Sequence, residues 1–381
     1  MRDRVPIATI AGIRIRAHWS VLLIGLFLAW GIAEAVIPAG APGTPAPAAW
    51  GIGILAAALL IASLAAHELG HALLARRRGV AVDGITLWLF GGMAQIRGDW
   101  ASPRTEIAVA AIGPAITLVI ALVFGGIAVG LVAAGAPSLV VVVPEWLATV
   151  NAMLLVFNLI PAFPLDGGRI LRGAMWLWRK DRNRATLAAA RAGRVFAILL
   201  VLLGFAQFFV TGALGGLWLV LVGWFLDNAA RTEERSEQAR HALEGVRVAE
   251  VMTRDPIRVP SWITVQLLIE QYVLRYHASA FVTHGIDGGV EGLVTLRAIR
   301  QVPGGQRSER RARDAATSVD RVPAARPDEL LLPLLERMSP EVADGHALVY
   351  EDAELVGIVA PAEIGRLLQS GTLAGGQSRA A

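Results

Sequence analysis

Six apolar segments in the first 228 residues constrain the fold most strongly, because all but the short last one reach the ~20 residues that a membrane-spanning helix needs. They cover residues 17–37, 51–75, 104–134, 139–160, 192–211 and 213–228. With 55% hydrophobic and 17% charged residues, the chain is more apolar than a typical soluble protein. After residue 228 the sequence becomes mixed and charged. The pattern predicts a membrane-embedded part followed by a soluble part.

Basic residues beside the apolar segments predict their orientation. Arginines precede the first segment, and Arg76, Arg77 and Arg78 follow the second. Such flanks face the cytoplasm, and an even number of crossings places both termini there. We expect a multi-pass protein of a bacterial-type inner membrane with cytoplasmic N- and C-termini. A net charge of +4 without an aromatic-interleaved basic stripe argues against nucleic-acid binding, and the absence of cysteine excludes cysteine-ligated metal sites.

The strongest local signal is HELGH, residues 67–71, inside the second apolar segment. A helix places His67 and His71 on one face, where both imidazoles can bind one metal ion. Glu68 lies ~100° further round the helix, which suits a general base acting on water at the metal. Such polar groups are unfavourable in an apolar helix unless a cation compensates for them. The motif predicts a metal-dependent hydrolytic centre, with a purely structural polar cluster as the alternative.

A third protein ligand is expected because catalytic zinc usually has three. The best candidate is Asp166 in NLIPAFPLDGGRIL, residues 158–171. Pro161 and Pro164 predict a break in the fourth apolar helix just before this acid, and a broken helix at membrane depth is tolerated beside protein or a wet cavity. The alternative role of Asp166 is to cap a helix that begins near Gly168, and the two roles are compatible.

Residues 80–97 are too few to cross a membrane and too apolar for a free loop. Apolar residues alternate over positions 85–89, and the Gly91-Gly92 pair after Phe90 predicts a turn. This favours a membrane-associated β-hairpin over a half-buried surface loop.

The soluble part contains two related blocks. EVMTRDPIRVP (250–260) begins the first and RDAATSVDRVP (313–323) begins the second, and each is followed by a helical pattern and two strand-like segments. Each block resembles a cystathionine-β-synthase (CBS) motif, a β-α-β-β-α unit that pairs into one regulatory module.

The expected fold class is mainly α: a polytopic helical membrane domain of about six spans with a β-hairpin, followed by a soluble α/β tandem CBS module. The predicted domains are a membrane-embedded domain (1–230), a linker (231–245), a first CBS motif (246–303), a linker (304–312), a second CBS motif (313–369) and a disordered tail (370–381).

HELGH in one apolar segment and N-x-x-P-x-x-P-L-D-G-G in a later one resemble the site-2 protease family of intramembrane zinc metalloproteases. With its C-terminal repeats, the chain resembles the branch that carries CBS domains, which includes bacterial sporulation-factor proteases. The resemblance implies one zinc per chain, with His67, His71 and Asp166 as ligands and Glu68 as the catalytic base.

The same resemblance implies substrate contacts. Asn158 matches the asparagine that helps to hold the substrate or its developing oxyanion, and Asn151 is a second polar candidate. The hairpin at Gly91-Gly92 is similar to the family's β element, whose edge strand holds unwound substrate. Glu106 and the Gly113-Pro114 pair also match the family pattern, but we assign them no catalytic role because Gly-Pro more often marks a helix irregularity.

CBS pairs often bind adenine nucleotides through a hydroxyl and an acid that follow the second strand. Thr295 keeps the hydroxyl in the first block, but Ala298 stands at the position of the acid. The second block has Ala360 in place of the hydroxyl and keeps an acid at Glu363. An adenine nucleotide at Thr295 is one interpretation, and a module that only dimerises or senses a partner is the other. A homodimer through the CBS pair fits both.

The implied function is regulated intramembrane proteolysis, the hydrolysis of peptide bonds in membrane-associated proteins within the lipid bilayer. An anti-sigma factor, a pro-sigma factor or a signal-peptide remnant would suit the family as substrate. The alternative is a catalytically inactive membrane protein of the same fold that binds or regulates membrane clients, but the intact HELGH motif favours the enzyme. A transporter would need inverted repeats between the membrane halves, which the sequence lacks.

Overall fold

The computed structural model describes residues 4–88, 91–97, 100 and 102–377. The chain divides into two compact units, Met1–Glu237 and Gln238–Ala381.

Long helices dominate the first unit. Their bounds are Ser20–Gly40, Ala46–Arg77, Pro103–Ala133, Ser138–Asn158, Asp166–Arg179, Arg182–Thr211 and Gly215–Leu243. Among the described residues, five helices are long and apolar enough to cross a membrane, and they agree with the first five predicted segments. The sixth segment, 213–228, lies in the first half of helix Gly215–Leu243, whose charged second half keeps it outside that group.

The apolar helices keep large hydrophobic side chains on their surface. Leu22 is 79% exposed, Phe209 77% and Val129 70%. Such exposure is unfavourable in water and favourable in lipid. Between helices, small residues allow close contact: a Cβ on Gly53 would lie 2.6 Å from the carbonyl oxygen of Ala29. These features are those of a membrane protein.

A four-stranded sheet in the order β1-β2-β3-β4 packs against the helices. Its strands are β1 (Arg4–Ile10), β2 (Ile13–His18), β3 (Ala81–Trp88) and β4 (Gly91–Arg97). The predicted hairpin is confirmed as the antiparallel pair β3–β4. The predicted turn at Gly91-Gly92 is wrong, because Trp88 pairs directly with Gly91 and both glycines belong to β4. Leu89 and Phe90 lie outside the described residues.

The hairpin of β1 and β2 was not expected from the sequence, in which these residues were interpreted as a charged flank of the first span. β2 pairs in parallel with β3 and completes the sheet. The signal was present as strand-period alternation: Ile13 and Ile15 are buried against Ala72 and Ile85, whereas Arg14 points outward.

The described residues of the second unit form two four-stranded sheets, β6-β7-β8-β9 and β10-β11-β12-β5. The strands are β5 (Thr253–Arg254), β6 (Arg258–Pro260), β7 (Ala280–His284), β8 (Val290–Thr295), β9 (Thr317–Ser318), β10 (Ala324–Ala325), β11 (Ala347–Glu351) and β12 (Glu354–Val359). The helices are Val248–Val251, 265–276, Leu296–Gln301, Ala312–Ala315, Leu331–Arg337 and Pro361–Gln377.

This order repeats the predicted CBS pattern twice. Each copy also completes the sheet of the other, because β5 of the first copy pairs with β12 and β9 of the second pairs with β8. The two copies therefore form one folding unit.

Two predicted boundaries differ from the structure. Residues 231–243, predicted to lie in a linker, belong to helix Gly215–Leu243. Ion pairs one helical turn apart, such as Arg231 with Asp227, stabilise this charged helix without the apolar periodicity that marks helices in a sequence. Helix Pro361–Gln377 likewise extends past residue 370, where a tail was predicted.

Candidate metal centre

Two buried histidines form the first part of the centre. His67 and His71 lie four residues apart on helix Ala46–Arg77, and each is only 5% exposed. Their Nε2 atoms are 3.1 Å apart, so both rings present the same nitrogen to one point.

The third group comes from the chain break after helix Ser138–Asn158. Asp166 is the first residue of helix Asp166–Arg179, and its Oδ2 lies 3.1 Å from His67 Nε2 and 3.4 Å from His71 Nε2. The alternative of a capping role is not seen, since Leu165 occupies the N-cap position and no side chain caps the helix.

These three side chains fit zinc. Their ligand atoms all lie within 4.8 Å of one another. Zinc–ligand bonds of about 2.0–2.1 Å in a tetrahedron separate neighbouring donors by roughly 3.3 Å. Two imidazole nitrogens and one carboxylate oxygen are also the donor set of many catalytic zinc sites, which keep a fourth position for water or substrate.

Hydrogen bonds fix which nitrogen of each imidazole faces the metal position. The Thr117 hydroxyl donates to the carbonyl oxygen of Gly113 at 3.2 Å, so at 2.8 Å it accepts the proton on Nδ1 of His67. Nδ1 of His71 donates to the carbonyl oxygen of Val109 at 2.6 Å. Both Nε2 atoms are therefore left with a lone pair for a metal.

Gly113 provides the space beside the histidines. A Cβ at this position would lie 2.6 Å from Nε2 of His67 and nearer still to Nε2 of His71. Val109, Gly113 and Thr117 are spaced by four residues and share one face of helix Pro103–Ala133. This face was not predicted from the sequence, although a glycine and a threonine at helical spacing in an apolar run were a signal.

The two glycines after Asp166 let the broken segment pack tightly. A Cβ on Gly168 would lie 2.5 Å from the carbonyl carbon of Ala162, and one on Gly167 would clash with the carbonyl oxygens of Leu159 and Ile160. The segment can therefore fold back on itself only with glycine at both positions, which fixes where Asp166 begins its helix.

Glu68 lies on the same helix as the histidines and next to strand β4. A Cβ on Gly92 would lie 2.7 Å from the carboxyl carbon of Glu68. The structure thus brings Glu68, Gly92 and the edge strand β4 together beside the metal position.

The remaining predicted residues lie elsewhere. Asn151 is buried and donates from its side-chain amide to the carbonyl oxygen of Leu147 in its own helix. Asn158 is the last residue of that helix and is partly exposed. Within the part of the chain that the structure describes, neither amide makes a hydrogen bond to His67, His71 or Asp166. Thr295 belongs to the second unit.

Known proteins resemble this chain over most of its length. The model of peptidase family M50 matches residues 55–142 and 126–202. A protein of Mycobacterium tuberculosis assigned as the zinc metalloprotease Rip3 is 44% identical over 368 residues, which are 97% of this chain and 93% of that protein. The chain belongs to peptidase family M50. A Synechocystis protein assigned as a zinc metalloprotease is 28% identical and matches 97% of each chain.

Among solved structures, this M50 peptidase is similar to the site-2 protease from Methanocaldococcus jannaschii. The identity is 26%, with 61% of this chain and 95% of that chain covered and a TM-score of 0.41. The expected family, the metalloprotease activity and the zinc cofactor are confirmed by the relatives, so this M50 peptidase is an intramembrane zinc metalloprotease.

Proposed function

We propose that this M50 peptidase cuts membrane-associated proteins at a centre made by His67, His71, Asp166 and Glu68. The observation that carries the proposal is the convergence of two nitrogens and one carboxylate oxygen within 4.8 Å of one another, on helices that meet only in the folded chain. Glu68 lies one residue from His67, beside the edge strand β4.

The reaction follows from these positions. His67 and His71 would hold zinc through Nε2, and Asp166 through Oδ2. Zinc, when bound, supplies a Lewis acid that lowers the pKa of water toward ~7 and polarises the scissile carbonyl. The Glu68 carboxylate takes a proton from the attacking water, whose oxygen forms a bond to the carbonyl carbon. When the C–N bond breaks, Glu68 returns that proton to the amine nitrogen.

Strand β4 is the proposed substrate-binding edge. It is the last strand of the order β1-β2-β3-β4, so its outer side can pair with an extended peptide. Gly91 and Gly92 carry no side chains that would obstruct a peptide at this edge, and Gly92 lies against the side chain of Glu68. A helical substrate hides its peptide bonds, so pairing with β4 would hold the unwound segment beside the catalytic base. Asn158 is the proposed contact for the developing oxyanion, and Asn151 is the weaker candidate because its amide is engaged within its helix.

We further propose a multi-pass topology with both termini in the cytoplasm of a bacterial inner membrane. Five helices among the described residues are long and apolar enough to cross, and the apolar first half of helix Gly215–Leu243 is the proposed sixth crossing. Trp218 and Trp224 are 52% and 64% exposed on that half, which suits contact with lipid.

The CBS pair is the proposed regulatory module, either with an adenine nucleotide near Thr295 or as a homodimer. The hydroxyl of Thr295 already accepts from the backbone of Ala298 and donates to Asp344, so a nucleotide would have to displace Asp344. The proposed substrates are an anti-sigma factor, a pro-sigma factor or a signal-peptide remnant.

Removing zinc tests the function. The purified protein should cleave at least one member of a panel of single-span membrane proteins, lose cleavage when zinc is chelated, and regain it when zinc is restored. An inactive client-binding protein would retain the substrates without cutting any of them, with or without zinc. That result would overturn the proposed reaction in favour of the alternative.

A further inference from the structure

Arg172 carries a buried charge and contacts three other parts of the membrane unit. It is 4% exposed and lies on helix Asp166–Arg179. Its guanidinium donates to the carboxylate of Glu106, which is 1% exposed, and its Nη1 donates to Glu233 at 3.0 Å. The guanidinium carbon also lies 4.9 Å from the ring centroid of Phe163. A buried ion pair of this kind is held only where several groups fix its geometry.

The Glu106 contact ties the Asp166 helix to the helix that positions the histidines. Glu106 precedes by three residues Val109, whose carbonyl accepts from His71. Next to Arg172, Gly173 brings the helices together, since a Cβ there would lie 2.6 Å from Ile107. Arg172 is six residues beyond Asp166, or roughly 9 Å along the helix.

The contact of Arg172 with Phe163 involves the segment that precedes Asp166 in the chain. Phe163 precedes Asp166 by three residues, is 2% exposed, and packs between Arg172 and the helix Arg182–Thr211 at Ala189 and Ala190. Arg172 lies on the helix that begins at Asp166 and also contacts Phe163 in the segment that precedes Asp166. It therefore stabilises the chain on both sides of Asp166.

Glu233 is the exposed partner of this buried cluster. Its side chain is 41% exposed and lies on helix Gly215–Leu243, which continues past the end of the first unit at Glu237. We propose that Arg172 is a positioning residue for Asp166. We further propose that the ion pair between Glu233 and Arg172 couples helix Gly215–Leu243, which leads to the CBS unit, to the position of Asp166. The inference rests on the proposed metal centre.

The physical reason is the narrow tolerance of a metal site. Ligand atoms must keep their distances within about 0.2 Å of ideal values. With Glu233 in place, the guanidinium is held between two carboxylates and over an aromatic ring. Without the Glu233 carboxylate, Arg172 still pairs with Glu106, so neither buried charge lacks a partner. The guanidinium plane of Arg172, however, is then free to rotate. A shift of helix Gly215–Leu243 that separates Glu233 from Arg172 would thus loosen Asp166.

The test compares Glu233→Gln with Glu234→Gln in the full-length protein. Both changes remove one negative charge from the same helix, but Glu234 pairs with Arg194 on the helix Arg182–Thr211, which carries none of the proposed ligands. Zinc affinity is measured by competition with a chelator, and the visible absorption of the Co²⁺-loaded protein reports the ligand geometry. We expect Glu233→Gln to weaken zinc affinity about tenfold and to change the Co²⁺ spectrum. A loss of about tenfold is the smallest effect typical of substituting residues that orient metal ligands. Glu234→Gln should stay within about twofold of the wild type by the same reasoning.

Wild-type zinc affinity and spectrum in Glu233→Gln would overturn the inference, as would equal changes in both variants. Because both readouts concern metal alone, they are separate from proteolysis. Normal metal binding by a wild-type protein that cuts nothing would contradict only the proposed function. A wild-type chain that binds neither Zn²⁺ nor Co²⁺ would overturn the metal centre and this inference together.

Discussion

Replacing Glu68 with glutamine should lower the cleavage rate by a factor of about 10² to 10⁴ while leaving the zinc content at one per chain. The amide keeps the shape of the side chain but cannot take the proton of the attacking water. Glu68 is not among the three groups that converge on the metal position, so zinc should remain bound. The measurement is the initial rate of cleavage of a single-span substrate, with zinc determined on the same preparation.

Glu34→Gln is the matched control, because Glu34 is a carboxylic acid in another membrane helix and is exposed at its surface. It should cut at the wild-type rate. If Glu68→Gln retained more than half of the wild-type rate, the proton transfer would have to be assigned to another group.

Gly113→Ala should abolish zinc binding and, with it, cleavage. The added methyl group would occupy the space beside Nε2 of His67 and His71, where the metal must lie. The histidines cannot move away, because Thr117 and Val109 fix their other ring nitrogens. We expect less than about a tenth of the wild-type zinc content, in line with the loss caused by disturbing groups that orient ligands.

The control lies on the same helix at Gly126, where a Cβ would meet no atom within 4 Å. Both substitutions favour the helix by about 0.5–1 kcal/mol, so a difference between them cannot come from helix propensity. Gly126→Ala should keep a full complement of zinc. A Gly113→Ala protein that still binds one zinc per chain would show that the metal lies elsewhere.

The parts of the centre that depend on local spacing could be predicted from the sequence. His67 and His71 share a face because a helix repeats every 3.6 residues, and HELGH lies within one helix. Asp166 could be inferred because two imidazoles need a third ligand and the surrounding prolines break the helix. The β3–β4 hairpin followed from alternation, although Gly91 and Gly92, which were predicted to form its turn, belong to β4.

The parts that depend on packing between distant segments could not be predicted. Arg172 and Glu106 are 66 residues apart, and their pairing is decided by how two helices cross. Gly113 was interpreted as a helix irregularity, since its closeness to the histidines appears only when helix Pro103–Ala133 lies against helix Ala46–Arg77. The exchange of β5 and β9 between the CBS copies likewise needs the folded sheets.

X-ray absorption at the zinc edge of the purified full-length protein tests the ligand set most directly. We predict a single zinc with two imidazole nitrogens and carboxylate or water oxygen at about 2.0–2.1 Å, and loss of that metal in Asp166→Ala. A shell of three or more imidazoles, or an unchanged shell in Asp166→Ala, would contradict it.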